Sequence, residues 1–361
     1  MVDLCALFGV SRKTGYRLVE RYQAHGREGL QPRSRAPQAH PNQTPAEIEA
    51  EVLGVRRKHP TWGSKKILAM LERREGDAHW PARSTIDEIL KRAGVVDDRG
   101  SRRRRFPSVR PKVVAVAPND VWSADYKGWF RLGDGTRCDP LTINDVFSRY
   151  SLLCAALAAP KLMDVKALFE ASFREHGLPK AVMTDNGPPF GSRGIGGLSR
   201  LAVWLLRLGV LPVYIEPGKP QQNGKHERFH LTLQQETAAP PKATRAAQQR
   251  AFAAFQREYN DERPHEALKM DAPGSVYARS PRELPRTLVP HEYPTTFEAR
   301  NVNNTGSMKW HTELVFVGEA LRGERIGLEP VAEGVWRVHL GPLVLGVLHE
   351  RSGLIVPLRT P

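Results

Sequence analysis

The sequence predicts a multidomain chain: all-α helix-turn-helix units at the N-terminus, a central α/β domain with a mixed sheet, and a small β-barrel at the C-terminus. Three observations carry that prediction. A length of 361 residues suits two or three domains. Hydrophobic residues at 40% and charged residues at 26% supply a core and exclude disorder over most of the chain. The apolar pattern changes along the chain, from helical spacing, to strands alternating with helices, to short strands separated by turns.

Residues 1–35 read as the first helix-turn-helix unit. Val2, Leu4, Cys5, Leu7 and Phe8 give a short helix its apolar face, Gly9 breaks it, and Ser11 is placed to cap a second helix from Arg12 to about Tyr22. That second helix would present Arg12, Lys13 and Arg17 to DNA. Gly15 stands where a β-branched core residue is usual, so the packing is expected from Tyr16 and Leu18. The first helix begins almost at Met1, whereas a three-helix unit needs an earlier one. A truncated start or a misassigned start codon would account for this.

Residues 31–45, rich in Pro, Arg, Ser and Asn, read as a linker. Residues 44–97 then read as three helices. Thr44 caps the first, with Pro45 at its opening position and Glu47 at its third. HPTWGSKKILAMLERR opens the second, with Ile67, Leu68 and Leu71 on one side. ARSTIDEILKRAGVV is the third, with Ser84 near its N-cap and Gly94 at its C-terminal end. A second helix-turn-helix module and a plain spacer bundle both fit. Residues 98–111 form a basic linker, whose run Arg102, Arg103, Arg104 and Arg105 suits phosphate contact and a solvated joint alike.

From 112 to 280 the pattern is mixed α/β, with strands near 121–124, 141–143, 150–155, 181–184 and 212–215. Helical patterns fall at 163–176, 198–208, 223–236 and 244–259. Residues 290–361 read as a small β-barrel or sandwich. Lys and Arg outnumber Asp and Glu 54 to 39; the excess is +10 in residues 1–111, +5 in 112–280 and zero beyond. A first third so charged attracts a polyanion, although a merely soluble basic surface explains it equally well. Cys5, Cys138 and Cys154 lie far apart, which excludes a disulfide scaffold and a cysteine-rich zinc domain.

Three acids stand where packing does not explain them. Asp125 ends the first strand in DVWSADYKGWF, Asp185 ends another in KAVMTDNGPPF, and Glu227 lies in the first turns of a helix begun by QQNGKHERFH. Strand ends and helix starts can meet at one edge of an open sheet, where sites of such folds lie. Three carboxylates without a matching basic cluster repel one another unless a cation joins them. Hard oxygen ligands suit Mg²⁺, with Mn²⁺ as a substitute. Two such ions about 3.5–4 Å apart clamp the attacking and leaving oxygens of an in-line phosphoryl displacement.

WSADYKGWF, NDVFSRYSLL, MTDNGPPF, PGKPQQNGKHERFH and YNDERPHEAL together resemble the integrase catalytic core of bacterial insertion-sequence transposases, a ribonuclease-H-like fold shared with retroviral integrases. The resemblance covers about residues 112–280. It extends more loosely to the helix-turn-helix region, which in such transposases binds terminal inverted repeats. It implies that Asp125, Asp185 and Glu227 are the family's metal-binding Asp-Asp-Glu triad. The interval from Asp185 to Glu227 exceeds the family's common spacing, and the surplus is expected in GSRGIGGLSR. Glu216 is the rival third acid; Glu227 is preferred because the family's Asn-Gly-x-x-Glu-Arg pattern matches there.

Other polar residues receive plainer assignments. Asp145 is expected to hydrogen-bond near Ser148 and Arg149, outside the triad. His226, His230 and His265 lack cysteine partners for a zinc site. Lys225, Arg228 and His230 suit phosphate contacts near the site, or ordinary solvation.

The resemblance further implies cleavage at element ends and transfer of the freed 3′-hydroxyl into target DNA. The expected partners are double-stranded DNA, as terminal inverted repeats and target, and further copies of the chain in a homo-oligomer. No apolar run reaches the roughly 18 uncharged residues of a membrane span, and the N-terminus lacks a signal-peptide layout. The expectation is a cytoplasmic protein, at the nucleoid when bound to DNA. A ribonuclease-H-like nuclease that cleaves without joining shares the acids. A domesticated or inactive DNA-binding regulator would use the helix-turn-helix units alone, and the intact triad argues against it.

Overall fold

The computed structural model describes residues 1–32, 44–74, 79–96, 113–192, 194–216 and 220–357. Arg102, Arg103, Arg104 and Arg105 lie outside the described residues. The chain divides into two units, Met1–Glu51 and Val52–Pro361.

In the first unit, α1 (Val2–Leu7) and α2 (Arg12–His25) are followed by a 3₁₀ turn, Gly26–Leu30. Gly9 takes φ +62° at the turn, a left-handed conformation that costs a glycine little. The Ser11 hydroxyl accepts the Thr14 N–H at 3.2 Å, which is the cap expected from sequence. The packing differs from expectation, because Tyr16 is 60% exposed while Gly15 is buried. A β-carbon at Gly15 would stand 2.4 Å from the Cys5 sulfur, so this glycine is what lets the two helices touch.

The second unit begins within α3 (Ala46–Lys58) and continues with α4 (Ser64–Arg74) and α5 (Arg83–Arg92). Val52, Val55, Trp62, Ile67, Leu71, Ile86, Ile89 and Leu90 make one core. Ser84 does not cap α5; Ala82 holds the N-cap position, with no side-chain bond. Gly94, at φ +67°, closes its C-terminal end, where the Val95 N–H reaches the Leu90 carbonyl.

Six strands form the central sheet: β1 (Val121–Tyr126), β2 (Phe130–Arg131), β3 (Arg137–Asp145), β4 (Ser151–Leu157), β5 (Ala181–Thr184) and β6 (Leu211–Tyr214). The first four are antiparallel neighbours, with β3 between β1 and β4 and short β2 pairing the start of β3. β5 runs parallel to β1, and β6 parallel to β5. One face buries Trp122, Leu141 and Val182 against α6 (Leu162–His176) and α7 (Arg200–Arg207). The opposite face buries Cys138 and Cys154 against α8 (Gly224–Thr237) and α9 (Arg245–Asp261).

The α3–α5 bundle packs on this second layer. His59 stacks on Trp62 at 3.9 Å and bonds Glu258 of α9 at 2.9 Å, while Thr61 bonds Glu236 of α8 at 2.7 Å. After the short helix α10 (Pro273–Val276), the chain enters strands β7 (Glu298–Asn301), β8 (Ser307–Trp310), β9 (Glu313–Phe316), β10 (Arg325–Ala332), β11 (Val335–Leu340), β12 (Leu343–His349) and β13 (Leu354–Pro357).

The expected barrel is not closed. The strands form an open antiparallel sheet, ordered β13-β12-β11-β10-β7, beside a β8-β9 hairpin. The physical reason lies in α7, which is apolar on both sides. Leu201, Trp204 and Leu205 face the central sheet, whereas Ala202, Val203 and Leu206 enter the C-terminal core. That core is completed by another domain's helix and not by the sheet curling on itself.

Candidate active site

Asp125 is the penultimate residue of β1 and Asp185 follows β5. These strands run parallel with Ser123 beside Met183, so two residues further on the two aspartates stand side by side at the carboxyl edge of the sheet. Asp185 is exposed at a tight turn, where its Oδ1 accepts the Gly187 N–H at 3.2 Å and the Asn186 side chain donates to the Ile215 carbonyl at 2.7 Å. Asp125 is half-buried. Burial pushes its carboxyl up to about 7, and the charges of Asp185 and Glu227 push the same way, against bonds from the Tyr126 N–H and Asn223.

Glu227 is exposed in the first turn of α8. Asn223, the N-cap of that helix, is buried and donates from Nδ2 to Asp125 Oδ2 at 2.6 Å. Asp125, Asp185 and Glu227 are thus electrostatic neighbours. Yet among the described residues no group of three or more His, Cys, Asp or Glu is gathered closely enough to hold a metal ion. Asn223 holds one oxygen of Asp125 and the Gly187 N–H holds one of Asp185. The donor chemistry nonetheless fits a divalent cation, which would cancel both the burial cost and the repulsion that raise Asp125.

Behind this edge His226 is 1% exposed. Its Nδ1 lies 2.7 Å from Ser123 Oγ and its Nε2 2.6 Å from Thr142 Oγ1. His230 Nε2 lies 2.8 Å from the same Thr142 oxygen. Burial holds His226 well below the usual histidine range and His230 at about 3, so both rings are neutral. This corrects the phosphate-contact reading of His230, whose ring is spent on the sheet. Lys225 donates to the Val146 carbonyl at 3.3 Å; burial, with the Arg149 charge, brings it down to about 8. Arg228 is exposed on α8, as are Arg12, Lys13 and Arg17 on α2.

Asp145 is buried and accepts the Asn119 N–H, the Ser148 N–H and the Ser148 hydroxyl at 2.6–2.8 Å, the structural role its turn predicts. Glu216 exchanges bonds with the Gln222 side chain at 3.0 and 3.2 Å. Sequence reasoning missed Asn223, Ser123 and Thr142. Asn223 carried a signal, an Asn-Gly pair at a helix start; the two hydroxyls carried none.

Residues 115–220 match the integrase core domain, 208–273 match it again, and 14–90 match a homeodomain-like domain. The chain is 31% identical over 242 residues to the insertion element IS407 uncharacterized 31.7 kDa protein of Burkholderia multivorans, covering 66% of this chain and 83% of that one. It is 32% identical over 183 residues to an insertion element IS476 protein of Xanthomonas euvesicatoria, covering 50% and 51%.

Among solved structures, the HTLV-2 integrase catalytic core domain in complex with magnesium aligns at TM-score 0.37 and 14% identity, over 46% of this chain and 100% of that one. A simian T-cell lymphotropic virus intasome in complex with a PP2A regulatory subunit aligns at 0.39 and 14%, over 81% and 97%. At such scores the structural likeness carries no weight, and membership stands on the sequence relatives. With 83% of the Burkholderia protein matched at 31% identity, the chain belongs to the insertion-sequence transposases of the ribonuclease-H-like integrase superfamily.

Proposed function

We propose that this transposase cleaves DNA at its element's ends and joins the freed 3′-hydroxyl to target DNA, with Asp125, Asp185 and Glu227 holding Mg²⁺ or Mn²⁺. The observation that carries the reading is the placement of Asp125 beside Asp185 at the edge of the sheet, where burial first, and then the charges of Asp185 and Glu227, raise a half-buried carboxyl to about 7. Bound divalent ions would lower the pKa of the attacking water or hydroxyl and stabilise the leaving oxygen. Asn223 supports that role by fixing Oδ2 of Asp125 at 2.6 Å, which leaves Oδ1 free of that bond. Gly187 orients Asp185 in the same way through Oδ1.

In this reading residues 1–35 and 44–97 bind the terminal inverted repeats, residues 112–280 carry the chemistry, and residues 290–361 form the small β domain. Arg12, Lys13 and Arg17 read the repeat, Arg102, Arg103, Arg104 and Arg105 hold phosphates, and Lys225 and Arg228 hold DNA beside the acids. The protein works in the cytoplasm as a homo-oligomer on two DNA ends. The test incubates the full chain with its end DNA and a target plasmid, with and without Mg²⁺. Asp125→Asn and Asp185→Asn should abolish cleavage and joining while end binding persists. Substantial metal-dependent joining by either variant would end the proposal.

A further inference from the structure

The bond network behind the acidic edge has no part in the phosphoryl transfer just described, yet it ties the helix turn that carries Glu227 to the strands beside Asp125. We propose that His226, anchored by Thr142 and Ser123, is a positioning residue that sets Glu227 against Asp125; this rests on the reading of those acids as the metal-binding triad.

Thr142 is the direct neighbour of Asp125 across the β1–β3 ladder. Its hydroxyl oxygen lies 3.2 Å from the Asp125 carbonyl, 2.6 Å from His226 Nε2 and 2.8 Å from His230 Nε2. A hydroxyl has one proton and two acceptor positions. The carbonyl can only accept, so it takes the Thr142 proton, and both imidazoles must then donate their Nε2–H to Thr142. His226 consequently carries its proton on Nε2, and its Nδ1 accepts the Ser123 hydroxyl at 2.7 Å. Every ring nitrogen of His226 is satisfied by this one assignment of protons.

The mechanical consequence follows from helix geometry. Successive residues of a helix point about 100° apart, so fixing the His226 ring fixes the direction in which the Glu227 side chain leaves the helix. The first turn of a helix lacks intrahelical acceptors for its N–H groups and is free to fray. Here that turn is tied to β1 and β3 at both ends, by Asn223 on Asp125 at 2.6 Å and by His226 on Thr142. The deeper contacts of Phe229 and Leu233 hold the body of α8 on the sheet.

The test uses the full chain and Mn²⁺ alone as probe. Thr142→Val keeps the side-chain shape and removes the hydroxyl; Thr142→Ser keeps the hydroxyl. Mn²⁺ affinity is measured by titration calorimetry without DNA, beside Mn²⁺-dependent end cleavage and thermal denaturation. Thr142→Val should weaken Mn²⁺ binding by about 10–100-fold, the usual cost of losing an outer partner of a ligand, and Thr142→Ser should restore it. In a His226→Ala background Thr142→Val should add little to the loss of Mn²⁺ affinity, since both break the same His226–Thr142 bond. If His226→Ala does not fold, the Thr142 pair decides alone. Unchanged Mn²⁺ affinity in Thr142→Val, or equal losses in Val and Ser, would overturn the clamp and leave the triad standing. No Mn²⁺ binding by the unaltered chain would remove the triad reading, and the clamp with it.

Discussion

Replacing Asp125 by Asn should make the metal-free protein more stable while removing its proposed chemistry. The folded protein raises the Asp125 carboxyl from 3.8 to about 7. Below pH 4 the group is protonated in both the folded and unfolded chain, and its full contribution to stability is present. Between pH 4 and 7 the unfolded chain ionises readily while the folded chain resists, so stability falls as pH rises. Each unit of difference is worth about 1.4 kcal/mol, so the ceiling on the loss is about 4 kcal/mol above pH 7. Asn cannot ionise and still accepts from Asn223, so the variant avoids that loss. The assay is urea unfolding in EDTA at pH 5 and pH 8. The gain of Asp125→Asn over the unaltered protein should be about 1.5–2 kcal/mol at pH 5 and grow to about 4 kcal/mol at pH 8. Mg²⁺ should stabilise the unaltered protein and not the variant. An Asn variant no more stable than the parent at pH 8 would refute the argument that burial and the neighbouring acids strain the Asp125 carboxylate.

Other residues give independent tests. Glu236 Oε1 accepts both Arg263 and Thr61 at 2.7 Å, and Arg263 is 6% exposed, so Glu236→Ala should cost about 3–5 kcal/mol by stranding a buried guanidinium; a urea-unfolding loss under about 1 kcal/mol would contradict this. Burial, with the Lys66, Arg263 and Arg149 charges, holds His265 at about 3, so the unfolded chain binds its proton first and stability should fall as pH drops below about 6.5. His265→Leu should flatten that acid slope in denaturant midpoints taken between pH 7 and 4. Gly15→Ala should disrupt the first helical pair because its β-carbon meets the Cys5 sulfur at 2.4 Å; circular dichroism and end-DNA binding should both recover when Cys5→Ala is added. Neutralising Arg12, Lys13 and Arg17 should reduce the preference for terminal-repeat over scrambled duplex in a salt titration. Equal loss on both duplexes would make them phosphate contacts only.

Much of the chain was legible because local rules decide it. The Ser11 cap, the Gly9 turn and the Gly94 helix end follow from side-chain and backbone preferences within four residues. The strands bearing Asp125 and Asp185 announce themselves by β-rich runs ending in a polar turn, and Glu227 by an Asn-Gly helix start. What the tertiary structure decided depends on pairings far apart in the chain. Gly15 packs on Cys5 where Tyr16 was expected to do so, because helix approach is set by which residue lacks a β-carbon at the crossing. The C-terminal sheet stays open because α7, about ninety residues before its first strand, offers it an apolar face; the same apolar run in sequence shows no sign of serving two cores. Thr142 had no motif at all. It faces Asp125 by strand register and His226 by the docking of α8, and neither relation exists until the sheet has formed and a helix has been laid across it.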